Sequence, residues 1–169
     1  MYQKLLPHLF YKNVYEIDFE ALWEKGIRGL IFDLDNTLCS YSTAEPDEKN
    51  RALIRRLKEK GYQIWLVSNN SRERVERYNR SLGLPVIANA KKPLQSALSR
   101  ALRQMGLPRS QVALVGDQIY TDMLGGNRAG LMTILVQPVE ERENWFFRLK
   151  RQMEEPVIRH FQRHGRKGE

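Results

Sequence analysis

Short apolar runs alternate along the chain with amphipathic segments whose apolar residues recur at helical spacing. The apolar runs are four to six residues long and rich in Ile, Leu and Val, which is typical of buried strands. They predict strands at residues 28–32, 62–67, 85–88, 111–115 and 131–136. The segments between them predict helices at residues 47–60, 72–82, 94–105 and 120–129. This alternation predicts an α/β fold in which helices cover both faces of a mainly parallel sheet.

The two ends of the chain lie outside this alternation. Residues 1–27 are expected to form a helical segment that packs on the sheet. Residues 139–165 are expected to form two short helices separated at Pro156, with a frayed tail beyond them. The chain has 169 residues and neither an internal repeat nor an evident linker, so we expect a single domain with its core at about 28–136.

The composition, with 41% hydrophobic and 28% charged residues, is typical of a globular protein. No apolar run approaches the roughly 18 residues that a membrane span needs, and the first residues do not resemble a signal peptide. A single cysteine, Cys39, excludes an internal disulfide and fits a reducing compartment, so we expect a cytoplasmic protein. No histidine is placed to activate Cys39, which favours a packing role for this residue over a nucleophilic one.

Positive charge is concentrated in one part of the sequence. The formal net charge is +8, and residues 71–110 contain nine Lys or Arg but only two acidic residues. Such a region suggests an anionic partner, namely a phosphate ester, a nucleic acid or an anionic membrane surface. The alternative is a solvated helix surface that binds no partner.

Polar residues follow four of the predicted strands at the point where each strand ends. The carboxyl ends of parallel strands meet at one edge of a sheet, where ligands bind. In chain order these residues are Asp33, Asp35 and Thr37, then Ser68, Asn69 and Asn70, then Lys91 and Lys92, then Asp117 and Asp122. We therefore expect carboxylates, a hydroxyl group, backbone amides and a lysine to converge on one edge.

Asp33 and Asp35 stand one residue apart, which is unfavourable unless a cation offsets their repulsion. With Asp117 they supply the oxygen ligands that Mg²⁺ prefers. One carboxylate can attack phosphorus, and a second carboxyl group can protonate the leaving alkoxide and then activate water. A serine and a lysine can hold the phosphoryl oxygens. These residues therefore favour phosphoryl transfer.

The runs "DLDNT", "SNN", "KKP" and "GDQIYTD", in this order, resemble the four motifs of the haloacid dehalogenase (HAD) phosphatase superfamily. The resemblance covers about residues 28–136 and implies a Rossmann-like core with three α/β/α layers. It implies that Asp33 is the nucleophile and a metal ligand. It also implies that Asp35 is the general acid/base and binds Mg²⁺ through its backbone carbonyl.

The resemblance assigns the remaining motif residues as well. Asp117 is the other protein ligand of the metal, and Ser68, Asn69 and Lys92 bind the phosphoryl group. Lys91 is an alternative to Lys92, although the proline that follows Lys92 favours the latter. Thr37 and Asp122 are expected to contact these residues and to support the site without binding the substrate directly. For Asp122, capping of the following helix is an alternative of almost equal weight.

The spacing of the motifs leaves no room for a cap domain. Asp35 and Ser68 are 33 positions apart, and Asn70 and Lys92 are 22 apart, enough in each case for one helix and one strand. The runs "LIFDLDNTL" and "GDQIYTDMLGGNRAG" further resemble the YqeG-like branch of the capless subclass IIIA. A site without a cap is expected to be open and to depend on the surrounding surface for specificity.

The leading hypothesis is a Mg²⁺-dependent phosphomonoester hydrolase that works through an aspartyl-phosphate. Relatives of the branch that it resembles include phosphatidylglycerophosphate phosphatases, so this lipid is the favoured substrate. Its head group would be met at the inner face of a membrane, where the aromatic and basic residues of 145–151 are suited to lie. The alternative for this segment is a terminal helix that docks its apolar side on the core.

Two alternatives stay open. One is a phosphatase of a soluble sugar phosphate, nucleotide or phosphoprotein. The other is a non-catalytic basic module that binds RNA or an acidic partner. The Asp33 and Asp35 pair argues against this module, because adjacent acids do not help a basic surface to bind anions. Nucleic acid is therefore not favoured as a partner, and nothing in the sequence indicates an oligomer.

Overall fold

A sheet of six strands lies at the centre of the computed structural model, which describes residues 2–140 and 145–164. The strands are β1 (Leu9–Tyr11), β2 (Gly29–Phe32), β3 (Gln63–Val67), β4 (Val86–Ile87), β5 (Val112–Gly116) and β6 (Met132–Val136). All neighbouring strands are parallel, in the order β1-β6-β5-β2-β3-β4. β2 therefore lies in the middle of the sheet, between β5 and β3.

Helices cover both faces of this sheet. They are α1 (Phe19–Glu24), α2 (Glu48–Lys60), α3 (Arg72–Asn79), α4 (Gln95–Met105), α5 (Leu124–Ala129) and α6 (Trp145–His164). Leu30 and Phe32 of β2 are buried with residues of α1, α2 and α3, whereas Ile31 is buried with residues of α4 and α5. Consecutive strand residues thus face opposite layers, as a sheet covered on both sides requires. The predicted three-layer α/β fold is confirmed.

The start of α3, a helix that carries a residue in contact with the site, is set by the serine before it. Ser71 precedes α3, and its side chain accepts a hydrogen bond from the Arg74 backbone N–H at 3.3 Å. This contact satisfies one of the N–H groups that a helix leaves unpaired at its first turn. α3 ends at Asn79, three residues before the predicted end.

The prediction of a helical segment for residues 1–27 is wrong in part. Residues 2–4 and 14–16 form short 3₁₀ turns and α1 is a helix, but β1 adds a strand to the edge of the sheet. It pairs with β6, with Leu9 opposite Ile134. A three-residue strand is too short for any periodicity to reveal it, and its position depends on a partner more than 120 residues away.

The prediction of two helices separated at Pro156 is also wrong. α6 is continuous, with Pro156 inside it. A proline removes one helical hydrogen bond, but Glu154 and Val157 on either side are buried against the rest of the protein, which offsets the loss. The predicted frayed tail beyond residue 165 lies outside the described residues. So do the side chains of residues 145–151, so the predicted aromatic and basic membrane contact stays a prediction.

The connections between the strands are short at the edge where the site lies. Between β2 and β3 the chain forms a loop and α2, and between β3 and β4 it forms α3. Within residues 2–140 and 145–164 there is no separate cap domain, as predicted. No helix in the described part of the chain is long and apolar enough to span a membrane.

Candidate active site

The carboxyl ends of the central strands bring the predicted motif residues together. Phe32, at the end of β2, is paired with Leu66 of β3 and Val115 of β5. The next residue, Asp33, donates its backbone N–H to the Val115 carbonyl at 2.9 Å. Asp33 therefore lies at the centre of the edge, between the segments that carry Ser68 and Asp117.

Lys92 is the cationic centre of the site. Its Nζ atom donates to Asp33 Oδ1 at 2.7 Å, to Asp122 Oδ1 at 2.6 Å and to the Val67 carbonyl at 2.8 Å. These three contacts use all the N–H donors of the ammonium group, and the side chain is only 1% exposed. Burial disfavours the charge, but Asp122 and Asp33 outweigh it and raise the pKa of Lys92. The lysine is therefore positively charged at neutral pH.

The choice between the two lysines is decided by geometry. Lys91 is exposed and has a left-handed backbone conformation with φ of 54°. Lys92 points inward and contacts the nucleophile candidate. Lys92, and not Lys91, is therefore the lysine that contacts the carboxylate cluster.

The Asn69 side chain fixes the backbone of Lys92 through two hydrogen bonds. Its Oδ1 atom accepts the Lys92 backbone N–H at 2.7 Å, and its Nδ2 atom donates to the Lys92 carbonyl at 3.2 Å. The predicted phosphate-binding residue Asn69 thus supports the lysine in this structure. Ser68 is buried beside it, and its Oγ atom accepts the Asn70 backbone N–H at 3.1 Å.

A cluster of carboxylates surrounds the lysine. Asp33, Asp117 and Asp122 place one oxygen each within 4.8 Å of one another, which makes this a group in the described residues that could hold a metal ion. The Thr37 hydroxyl lies 3.5 Å from Asp33 Oδ2 and 3.3 Å from Asp117 Oδ1, so it bridges the two. Asp35 is not one of these three carboxylates, and the role of its backbone carbonyl as a metal ligand stays a prediction of the resemblance.

Burial and mutual repulsion perturb the titration of the cluster. Burial raises the pKa of Asp33 to about 6; Lys92 opposes this rise and Asp122 adds to it. Burial, followed by repulsion from Asp33 and Asp122, raises the pKa of Asp117 well above its usual value. One lysine therefore does not neutralise three carboxylates. An all-oxygen site with excess negative charge fits a hard divalent cation.

The absence of a side chain at Gly116 leaves room for Asp122 in the cluster. A Cβ atom at position 116 would lie 2.4 Å from the Asp122 Cγ atom, closer than any two such atoms can approach. Asp122 lies in a π-helical turn (Ile119–Met123), and its Oδ2 atom accepts the Gln118 backbone N–H at 3.2 Å. Asp122 thus contacts Lys92 and also caps its own turn. The contact predicted with the site and the predicted capping of the helix are therefore compatible.

The second aspartate lies in a different environment from the first. Asp35 Oδ1 accepts a hydrogen bond from Arg74 Nη2 at 3.0 Å, and Asp35 Oδ2 accepts one from Asn70 Nδ2 at 2.8 Å. Sequence reasoning did not assign a role to the Asn70 or Arg74 side chain. Asn70 and Arg74 are four positions apart at the start of a helix, so their side chains can reach the same group. This spacing could have suggested that both bind one carboxylate.

A further contact joins the C-terminal helix to the site. Glu154 of α6 is 7% exposed, and its Oε1 atom accepts the Ile119 backbone N–H at 3.1 Å, next to the segment that carries Asp117 and Asp122. No motif in the sequence marks Glu154, because its role depends on the docking of α6 and not on local pattern. Cys39 is buried, and its Sγ atom lies 3.4 Å from Arg74 Nη2, consistent with the expected packing role.

Comparison with known proteins identifies the family. The model of the family described as "Mitochondrial PGP phosphatase" matches residues 2–140, more than half of the chain. The chain belongs to this phosphatase family. The Bacillus subtilis (strain 168) protein named "Probable phosphatase YqeG" is 39% identical to it over 95% of this chain and 93% of that protein.

Other members and neighbours of the PGP phosphatase family extend this result. Phosphatidylglycerophosphate phosphatase 1, chloroplastic/mitochondrial, of Arabidopsis thaliana is 29% identical over 98% of this chain, which spans 50% of that longer protein. A solved HAD-superfamily hydrolase from Ehrlichia chaffeensis has a TM-score of 0.57 at 16% identity and covers 80% of this chain and 98% of its own. The resemblance to YqeG-like phosphatases is confirmed, and the fold is shared with a solved HAD-superfamily hydrolase. This chain is a phosphoric monoester hydrolase.

Proposed function

We propose that this phosphatase is Mg²⁺-dependent, works through an aspartyl-phosphate at Asp33 and hydrolyses phosphatidylglycerophosphate. The observation that carries the catalytic part is the separation of the two aspartates. Asp33 faces Lys92 and the other carboxylates, whereas Asp35 is bound by Arg74 and Asn70. Two carboxyl groups in such different surroundings are suited to two different tasks.

Asp33 attacks the phosphorus of the bound monoester, and the bond from phosphorus to the leaving oxygen breaks. Asp35 gives its proton to that oxygen, so the alcohol leaves neutral and Asp33 carries the phosphoryl group. Asp35, now a carboxylate, takes a proton from water, and this water attacks the phosphorus of the aspartyl-phosphate. The bond between phosphorus and the Asp33 oxygen breaks, which releases inorganic phosphate and restores the Asp33 carboxylate. Ser68 holds the phosphoryl oxygens in both steps, and Lys92 does so with the N–H that contacts Asp33 Oδ1 before the substrate binds.

The metal would be held by Asp33 and Asp117 together with the Asp35 backbone carbonyl. The fit rests on the surplus of carboxylates around a single lysine. When bound, Mg²⁺ would offset the negative charge that the cluster and the phosphate bring together. In the absence of metal, protons bound to the carboxyl groups neutralise part of the negative charge of the cluster, as the raised pKa values of Asp33 and Asp117 indicate.

A pH-dependent effect of Mg²⁺ on stability follows from these shifts. The pKa of Asp33 is about 6 in the folded protein, against a usual value of 3.8. Between these values the folded state binds more protons than the unfolded state, so the contribution of Asp33 to the free energy of unfolding falls as pH rises, by on the order of 3 kcal/mol. Because Mg²⁺ binds the ionised cluster, it should raise the melting temperature more at pH 8 than at pH 5.

Thermal unfolding in EDTA and in Mg²⁺, at pH values from 5 to 8, measures this effect. Asp117→Asn, which removes one ligand carboxylate, should reduce the Mg²⁺ response at pH 8 and thus serves as the matched variant. A rise in melting temperature that is equal at both pH values, or larger at pH 5, would contradict the proposed metal site.

The lipid substrate is supported by the relatives and by the surface near the site. The family description and the Arabidopsis relative name this lipid phosphate. Two large apolar side chains among the described residues are highly exposed, Leu94 at 59% and Val139 at 52%. Leu94 is two residues from Lys92, and the Val139 backbone N–H bonds the carbonyl of Asn36, the neighbour of Asp35. Both lie beside the site and are suited to contact a lipid, with the protein at the inner face of a membrane.

The substrate is tested by measuring phosphate release, with and without Mg²⁺, from phosphatidylglycerophosphate in vesicles, from glycerol phosphate, from a sugar phosphate and from a nucleotide. We expect kcat/KM for the lipid to exceed the others at least about tenfold, because only the lipid engages the apolar edge of the site. Equal or faster turnover of a soluble ester would contradict the lipid assignment while leaving the phosphatase assignment intact.

The apolar edge provides an internal control for this test. Leu94→Ser and Val139→Ser together should lower turnover of the lipid in vesicles severalfold more than turnover of 4-nitrophenyl phosphate. Equal losses with both substrates would show that these side chains do not contribute to lipid recognition.

A further inference from the structure

Arg74 is an arginine with a mostly buried side chain, and the proposed mechanism has not given it a role. Its side chain is 11% exposed, although it lies on a helix whose other arginines, Arg72 and Arg77, are exposed. Its Nη2 atom contacts Asp35 Oδ1 at 3.0 Å, the Ser40 carbonyl at 3.3 Å and Cys39 Sγ at 3.4 Å. One nitrogen therefore ties α3 to the segment that carries the acid/base residue.

Asn70 completes the contact from the same end of the helix. Its Nδ2 atom donates to Asp35 Oδ2 at 2.8 Å, while its own Oδ1 atom accepts the Ser71 backbone N–H at 2.7 Å. The Asp35 carboxyl group is thus held at both oxygens, by two donors that are fixed in turn. A carboxylate offers about four acceptor positions, so these two donors orient Asp35 without using all of its capacity.

The Arg74 contact is poorly explained by stability alone. The Nε and Nη1 atoms of Arg74 are buried and have no hydrogen-bond partner among the described residues. A buried ion pair is in general weak evidence for a stabilising role, because desolvation of the charges offsets their attraction. The side chain also lies against the buried ring of Tyr78, 5.7 Å from its centre, which limits its movement. What this arrangement does provide is a fixed direction for the Asp35 side chain.

We propose that Arg74 is a positioning residue for the reaction, which holds Asp35 in the orientation that proton transfer requires. The inference rests on the proposed function, because it concerns the acid/base role of Asp35. Arg74 does not touch the reacting phosphorus in this proposal and acts only through Asp35. Its removal therefore has an effect only as long as Asp35 can transfer a proton.

A double-mutant cycle separates this role from a merely structural one. With 4-nitrophenyl phosphate, Arg74→Met should lower kcat/KM about 10- to 100-fold in the wild-type background, since small displacements of a catalytic group have effects of this size. In the Asp35→Asn background the same substitution should change kcat/KM less than about twofold. Arg74→Lys, which keeps the charge but loses the planar fork, should recover part of the activity.

Arg77→Met is the matched control, because Arg77 lies three residues after Arg74 on the same helix, carries the same charge and is exposed. It should leave kcat/KM within about twofold of wild type, as surface substitutions usually do. Should Arg74→Met fail to fold, Asn70→Ala removes the other contact to Asp35 and is expected to show the same dependence on Asp35. Equal fold losses in the wild-type and Asp35→Asn backgrounds would overturn the positioning role. An inactive wild-type protein would overturn the proposed function together with this inference.

Discussion

Asp33→Asn is expected to abolish phosphate release, by about four orders of magnitude or more, while the protein still folds. The substitution removes the attacking carboxylate and leaves an amide of almost the same shape. It also removes one of the two carboxylates that contact Lys92, but Asp122 stays 2.6 Å from Nζ, so the lysine keeps a charged partner. Loss of turnover without loss of fold is therefore the expected result.

The decisive measurement is trapping of the covalent intermediate. Wild type mixed with substrate and quenched in acid should carry a phosphoryl group that hydroxylamine removes, whereas Asp33→Asn should carry none. Glu76→Gln, on the exposed surface of α3, is the control and should retain full activity. Turnover by Asp33→Asn within about tenfold of wild type, or trapped phosphate on this variant, would exclude Asp33 as the nucleophile.

Most of the site could be predicted from the sequence because its residues follow strands. The carboxyl ends of parallel strands lie at one edge, so Asp33, Ser68, Lys92 and Asp117 are brought together once the strands are recognised. The strands themselves were recognisable because burial on both faces makes them continuous apolar runs. In the structure Asp33 lies between the ends of β3 and β5, as expected for a residue that directly follows β2.

The residues that support the site could not be predicted in the same way. Arg74 and Asp35 are 39 positions apart, and Glu154 is 35 positions from Ile119, so no local pattern links them. Whether an arginine on a basic helix faces solvent or a carboxylate depends on how the helix docks. The concentration of positive charge in residues 71–110 therefore has two components, one buried in the site and one exposed.

The edge strand and the last helix show the same limit. β1 consists of three half-buried residues, whose place in the sheet is set by pairing with β6. Continuation of α6 through Pro156 depends on the burial of Glu154 and Val157, which outweighs the local preference to end the helix. In both cases tertiary contacts decide, and the local sequence is compatible with more than one structure.

Lys92→Met is expected to destabilise the protein by about 3–5 kcal/mol at pH 8 and to abolish activity. The lysine is 1% exposed and contacts Asp33 and Asp122, with Asp117 in the same cluster. Its removal leaves buried carboxylates without their cation, which costs more than the lost contacts themselves. The destabilisation should be smaller at pH 5, because the pKa values of Asp33 and Asp117 are already raised and protons can then neutralise the cluster.

Urea unfolding of wild type, Lys92→Met and Lys91→Met at pH 5 and pH 8 tests this expectation. Lys91→Met is the matched control, since it makes the same chemical change one residue earlier at an exposed position, and it should unfold within about 0.5 kcal/mol of wild type. Mg²⁺ should restore part of the stability of Lys92→Met at pH 8, because a cation at the carboxylates replaces some of the lost charge, but it should not restore activity. If Lys92→Met and Lys91→Met unfold at the same urea concentration, the buried lysine does not neutralise the cluster, and the electrostatic basis of the site would have to be abandoned.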